Sequence, residues 1–458
     1  MNQEENFSDA ERQDVMDYYL SLVKEKVLNY MGTTSSLKNK SQITIVNTLM
    51  KNTGYRLAYF DSKYYAYDSK YWKEINEEKM KLFLIESAVK LTGNINASLH
   101  SFVDGLLKQF KLTALVSIEK VSGHANVMNL SDSAIHFKNG DVESKPHKKE
   151  DYLKYLLPYG YNPNAETPIF NSFINKVLPD TTLQNVLFEF LGSVFIANDE
   201  LKMEKSLILV GKGSNGKSVL YEIVKALFGK INVGSFSLEN LTDTKGYYRS
   251  NLNKILLNYA SEINQNFEPA TFKQLSSGEP IEYRPIYDKP GIMEDYCKFV
   301  FNTNFLPNTK DSTESFFRRL LIIPFDVTIT SEERDPNLHT KIIKDELPGV
   351  LNYVIQGYKR LFRNKDFSPS IKINQTLEDY RKKGDNVKYF IAENCYLKSQ
   401  TETILKKNIF KDYKFFCGQN DLIALPEPTF GRRIEELGFA KVILSGNVTA
   451  YYMRLDFD

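Results

Sequence analysis

Gly211, Gly216, Lys217 and Ser218 stand at the spacing of a phosphate-binding loop, in the run LILVGKGSNGKSVLYEIVKALF from Leu207 to Phe228. The chemistry this suits is the grip on a nucleoside triphosphate. Its β- and γ-phosphates carry several negative charges and must be met by many donors at close range. Gly213 and Gly216 lack a Cβ, so the backbone from Gly211 through Ser214 and Asn215 to Val219 can curl and turn successive N–H groups inward. The helix that follows adds its positive end. Lys217 would reach the β/γ-oxygens, and Ser218 would place a hydroxyl on Mg²⁺. A glycine-rich turn with no ligand is the bland alternative.

A hydrolytic NTPase also needs a carboxylate near the loop to order Mg²⁺ and the attacking water. Glu262, closing KILLNYASEIN, has that place. Its predecessor is Ser261 where many such enzymes have a second acid, so either Glu262 serves both purposes or Ser218 and the phosphates hold the metal. Asn304, after KFVFNTN, can hydrogen-bond water and γ-phosphate without adding charge; a turn-forming Asn before Leu306-Pro307 is the plainer reading. In DSTESFFRRLLIIPF, Arg318 and Arg319 project differently. One can face its own nucleotide while the other crosses a subunit boundary as an arginine finger, the alternative being a surface salt bridge. Between acid and amide, Thr271 to Leu275 reads as helix and Gly278 onward as a hairpin, with Arg284, Tyr287 and Lys289 toward its tip. Pointed into a ring's pore, such a tip would grip single-stranded phosphates and bases.

The elements that must position these groups are legible in outline. Leu207 to Val210 is a strand-like apolar run. Val219, Leu220, Ile223, Val224, Leu227 and Phe228 recur at helical spacing before Gly229. Further strand-like runs lie at Ile255 to Tyr259, Phe299 to Phe301 and Leu320 to Pro324, so alternating strands and helices predict an α/β core with a parallel sheet and its ligand at the strands' C-terminal ends. Upstream, residues 9 to 30 read as an amphipathic helix. Tyr55 to Ile75 reads as a meander of short strands with Asp-Ser turns and Trp72 packed beneath. Its tyrosines are better explained as core than as a stacking platform. Residues 125 to 145 suggest two short strands with a turn at Asn139-Gly140, and Leu156 to Phe170 an extended connector.

Composition bounds the rest. In 458 residues Lys plus Arg is 59 and Asp plus Glu 57, a net charge of +2, so any polyanion-binding surface is local. The three cysteines are far apart, and His124, His136 and His147 lack metal-ligand spacing, which argues against a zinc site or disulfide framework and for a reducing, cytoplasmic setting. No run of about eighteen apolar residues appears, so no membrane partner is expected.

Taken in order, these parts resemble the superfamily 3 helicases. The branch is the one found in phage and plasmid primase C-terminal regions, mobile-element replication proteins and the poxvirus primase-helicase. The motifs are GKGSNGKS (211–218), ASE (260–262), FKQLSSGEPIEYRPIYDKP (272–290), NTNFLP (302–307) and FFRRLLIIPF (316–325), with LPYGYNPNAETPIFNSFI ahead of them. The resemblance implies an AAA+-like P-loop NTPase core and an ATP- and Mg²⁺-dependent replicative DNA helicase. It would act as a homo-hexameric ring moving 3′ to 5′ along single-stranded DNA. It implies that Lys217 and Ser218 bind phosphate and metal, Glu262 activates water, Asn304 senses the γ-phosphate, Arg318 or Arg319 reaches the neighbouring site, and the Arg284 to Lys289 hairpin holds DNA. The first hundred residues show no primase pattern, so priming would fall to a separate partner.

The expected organisation is a mainly helical α+β N-terminal region with a collar role (1–120), a pre-helicase segment (121–200), the ATPase (201–368), a linker (369–385) and a winged-helix domain (386–458). In that tail, three helices and a hairpin turning at Ser445 to Asn447 put Arg432 and Arg433 on a recognition helix near fork or origin duplex; a protein contact is the alternative. An initiator ATPase that assembles on its origin without processive unwinding is the second functional expectation.

Overall fold

Asp61 and Ser62 have φ of 50° and 60°, and Asn139 and Gly140 have 51° and 84°. Two successive residues with positive φ make the tight turn whose twist matches paired strands, and each pair closes a hairpin in the computed structural model. The structure describes residues 15–25, 28, 35–117, 126–198, 200–261, 263, 267–286, 289–307, 313–420 and 422–456.

The first turn joins β1 (Leu57–Phe60) to β2 (Lys63–Tyr67), and β3 (Trp72–Ile75) completes an antiparallel sheet in chain order. Around it lie α1 (Val15–Ser21), α2 (Ser35–Asn52), α3 (Glu77–Thr92) and α4 (His100–Thr113). The helix expected over 9–30 thus ends at Ser21; parts of that span fall outside the described residues. Tyr64, Tyr65 and Tyr67 are buried, and Trp72 stacks on Tyr152, so these aromatics form core. The second turn lies in a three-stranded sheet, β4 (Val127–Asn129), β5 (Ala134–Lys138) and β6 (Asp141–Lys145), where the sequence suggests two strands. The connector after it is extended but tied down: Tyr159 Oη donates to Leu227 O at 2.6 Å.

Two helices lead into the core, α5 (Pro168–Val177) and α6 (Thr181–Ser193). Buried Glu346 accepts from the Ile169 and Phe170 amides, satisfying the open N-terminus of α5 from across the fold. The core sheet is parallel and five-stranded. It comprises β7 (Ser206–Val210), β8 (Val233–Gly234), β9 (Leu257–Ala260), β12 (Lys298–Thr303) and β13 (Leu320–Pro324) in the order β13-β7-β12-β9-β8. Between β9 and β12 stands an antiparallel hairpin, β10 (Ile281–Tyr283) and β11 (Gly291–Met293). The helices α7 (Lys217–Phe228), α8 (Leu238–Thr242), α9 (Pro269–Ser276) and α10 (Glu314–Phe317) are interleaved with these strands. This is a mixed α/β fold with a parallel core sheet of P-loop NTPase type.

After β13 come α11 (Leu338–Asp345) and α12 (Leu347–Asn364). The α12 helix crosses α6 at glycines: a Cβ on Gly357 would lie 2.2 Å from Phe188 O, and one on Gly192 would lie 2.5 Å from Tyr358 N. The expected linker is corrected here. Residues Ile371–Gly384 form a helix, α13, started by Ser370, whose hydroxyl caps Ile373 N. Its Tyr380 is buried with Oη on Pro307 O at 2.6 Å, so the helix belongs to the core.

The tail folds as α14 (Asn386–Glu393), β14 (Tyr396–Leu405), α15 (Lys406–Gln419), α16 (Glu427–Glu436), β15 (Lys441–Leu444) and β16 (Val448–Leu455). Its sheet order is β14-β16-β15, and β14 is a strand the sequence reading omits. Among the described residues no helix is long and apolar enough to cross a membrane.

Candidate nucleotide site and DNA-facing elements

The loop between β7 and α7 has the shape its residues predict. Gly213 and Gly216 take φ of 99° and 85°, and Ser214 takes 49° between them. A Cβ on Gly211 would lie 2.5 Å from Phe325 O, so only glycine fits against β13 there. Lys217 is 6% exposed, and its Nζ donates to Gly211 O at 2.6 Å and Asn215 Oδ1 at 3.0 Å. Burial pushes its pKa below the usual lysine value, and among the described residues no carboxylate pairs with it. An ammonium held in that way is better stabilised by an arriving anion than by its present neutral acceptors. Asn215 is buried and bonds Phe325 O at 3.3 Å, so it braces the loop, while Ser218 lies exposed on the first turn of α7.

Asn304 follows β12 directly and is exposed beside the loop strand, since Thr303 pairs with Val210. Asn302 is buried and accepts from Tyr259 Oη at 3.1 Å. Glu262 lies outside the described residues, as does Tyr287.

The two arginines separate sharply. Both precede β13, whose Leu320 pairs with Ser206 and Pro324 with Val210, so they flank the end of the sheet opposite the loop. About 15 Å of strand lies between. The expectation that one of them faces its own nucleotide is therefore corrected. Arg319 is buried, with Nε on Ser277 Oγ at 2.6 Å and Nη1 on Ser315 O at 2.5 Å. Arg318 has a side chain 56% exposed, 3.6 Å from Glu204.

The hairpin pairs Ile281 with Met293 and Tyr283 with Gly291, which leaves Arg284 and Lys289 exposed beyond the paired rungs. Its base is anchored by buried Arg249, whose Nε donates to Glu282 O at 2.7 Å and Nη1 to Leu241 O and Asp243 O at 3.0 and 2.7 Å.

Known proteins share these parts. Residues 46–179 match a family model described as "D5 N terminal like", and residues 209–319 match a "Family of unknown function (DUF5906)". A protein of Acanthamoeba polyphaga mimivirus named as a "Putative helicase" is 24% identical over 252 residues, covering 49% of this chain and 25% of that protein. "Putative helicase 121R" of Invertebrate iridescent virus 3 is 23% identical over 311 residues, covering 58% of this chain and 33% of that one. The chain thus spans a quarter to a third of these relatives' length. An apo structure of the NrS-1 C-terminal region superposes with a TM-score of 0.51 at 13% identity, over 90% of this chain and all of that one, which is a likeness of fold.

The chain is similar to superfamily 3-like replication proteins of the D5 branch. The sequence reading misses Arg249, since its partners are backbone carbonyls of a distant turn and strand. It also misses Arg334, which reaches the phosphate loop from beyond β13 with Nη2 2.5 Å from Ser214 Oγ. No local pattern marks either residue.

One expected DNA contact is corrected. Arg433 is half-buried, donating to Asp385 Oδ2 at 2.5 Å and Glu436 Oε2 at 2.7 Å. Those carboxylates hold its pKa above the usual guanidinium range. Its charge is spent joining α16 to the start of α14, while Arg432 beside it is exposed.

Proposed function

We propose that this chain is the motor of an ATP-dependent replicative DNA helicase, working as a homo-hexameric ring in the host cytoplasm and moving 3′ to 5′ on single-stranded DNA. The observation that carries the reading is the polarity of the core sheet. Lys217 and its loop lie at one end and exposed Arg318 at the other. A chain that holds its nucleotide at one edge and offers at the other an exposed guanidinium, paired with Glu204 at the surface, suits head-to-tail closure, in which each Arg318 enters the next copy's site.

The residues present fit a triphosphate with its metal. Gly211, Gly213 and Gly216 give the loop its curl, Lys217 is a buried cation with no carboxylate partner among the described residues, and the Ser218 hydroxyl is a hard oxygen of the kind Mg²⁺ takes. Ser218, with Glu262, would hold the ion, which when bound offsets charge on the phosphates. Asn304 orients the attacking water. Arg284 and Lys289, on a hairpin stiffened by Arg249, grip the strand. The tail's element order suits a winged helix, with Arg432 on α16 meeting duplex phosphates.

The test is K217A, which should lose ATP hydrolysis and the separation of a tailed duplex together. Retained unwinding would refute the motor. The exposed Arg432 also suits the second reading, an initiator that uses ATP only to assemble on its origin. Removal of residues after 385 separates the two: a motor keeps tailed-duplex unwinding, and an initiator loses all activity.

A further inference from the structure

We propose that Arg334 is a second cation of the nucleotide site, contributed by the same chain and turning from Ser214 Oγ onto the phosphate oxygens of a bound nucleoside triphosphate. The inference rests on the reading of the 211–218 loop as a nucleotide site.

Arg334 stands in the stretch between β13 and α11, and that stretch is fastened to the loop. Ile329 N donates to Ser214 O at 2.6 Å, and Arg334 Nη2 lies 2.5 Å from Ser214 Oγ, so backbone and side chain both meet the residue at the loop's crest. The Lys176–Glu333 ion pair at 2.9 Å ties the same stretch to α5, whose Val177 and Phe173 pack against Gly216. The guanidinium is thus delivered to the loop by a framework held at three points.

The charges around it explain what it lacks. Arg334 has acidic neighbours on both sides, and each is committed elsewhere. Glu332 accepts from Ser331 Oγ at 2.8 Å, Glu333 takes Lys176 and Thr330 N, and Asp335 takes Lys341 at 2.7 Å and Asn337 N. These bonds hold all three carboxyls below their ordinary pKa range, so they are ionised and engaged. Among the described residues no carboxylate pairs with Arg334. A planar five-donor cation is left facing a hydroxyl on a loop built for phosphate, and a phosphate oxygen is the better acceptor by charge and geometry. Lys217 and Arg334 then approach the loop from inside and outside.

The full chain is tested with mant-ATP by fluorescence titration, comparing wild type, R334A, R334K and K217A. R334A should bind about tenfold more weakly, the scale of one charge-assisted hydrogen bond, with R334K intermediate and the unfolding midpoint unchanged. Wild-type affinity in R334A overturns the inference. So does an equal loss in R334A and R334K with a lowered midpoint, which marks a structural tether. If K217A also binds as wild type, the loop is not a nucleotide site at all. If K217A fails to bind while R334A binds normally, only the role of Arg334 falls.

Discussion

Arg319 Nε donates to Ser277 Oγ at 2.6 Å across 42 residues of chain, and its immediate neighbour Arg318 lies at the surface 3.6 Å from Glu204. One of two adjacent, chemically identical residues is therefore a brace between β13 and the C-terminal end of α9, and the other sits in an exposed ion pair. R319A should cost about 2–3 kcal/mol, because Ser277 and the Ser315 carbonyl lose a buried charged donor. A thermal melt should fall by several degrees for R319A and stay within a degree of wild type for R318A. Equal melts for the two would contradict the assignment.

If Arg318 serves the neighbouring site, damage to it is complemented in mixtures. R318A keeps an intact loop and K217A keeps an intact finger, so each alone should be inactive as an ATPase. A mixture regains part of the activity wherever an R318A loop meets a K217A finger. The measurement is steady-state phosphate release against mixing ratio, and a strictly additive, flat result would show that sites are not shared.

The α13 helix should be indispensable. Y380A removes a buried ring that packs on Phe317 and bonds Pro307 O, and about 3 kcal/mol of stability should go with it. Limited proteolysis should spare 371–384, and cleavage there ahead of the tail would restore the linker reading.

That helix also shows where sequence reading stops. The phosphate loop is legible because its glycines, lysine and serine are contiguous and their chemistry is local. The strands β7, β12 and β13 are legible because buried parallel strands are short, continuous apolar runs. In α13, Pro369 and Gly384 frame a polar, Lys-rich stretch whose only buried side chains are Ile373 and Tyr380, so polar composition hides the helical period. Arg319 and Arg433 are illegible for another reason. What each does is fixed by partners 42 and 48 residues away, and nothing in their own neighbourhood tells a finger or a DNA contact from a brace.

Lys298 should make stability depend on pH. Burial pushes its pKa down to about 8, with Nζ on Asn198 Oδ1 at 2.6 Å. An unfolded lysine titrates near 10.4, so between about pH 8 and 10 the unfolded chain binds the extra proton and this residue's contribution to stability rises with pH. Below pH 8 both states are protonated and the penalty of burying the charge is full. The difference in urea midpoint between wild type and K298M should therefore favour K298M at pH 7 and shrink toward pH 9.5. Burial raises the pKa of the neighbouring Cys297, which keeps its thiol protonated through this range. A pH-independent difference would show that Lys298 is solvated in the folded state.

Arg432 and Arg433 give the last contrast, because they are adjacent on α16 and face different duties. Arg433 bonds Asp385 and Glu436, and Asp385 also caps α14 through Lys388 N, so the guanidinium and the cap share one carboxylate. R433A should destabilise the tail by about 1–2 kcal/mol, discounted for partial exposure, and weaken DNA binding only through that loss. R432A removes an exposed cation with no side-chain acceptor among the described residues. Its melt should match wild type, while its affinity for duplex falls uniformly across sequences and the salt slope drops by about one. Fluorescence anisotropy on a short duplex at several salt concentrations reads both terms. Should R433A reduce the salt slope while R432A leaves it unchanged, the ion pair with Asp385 opens on DNA and the two roles are exchanged.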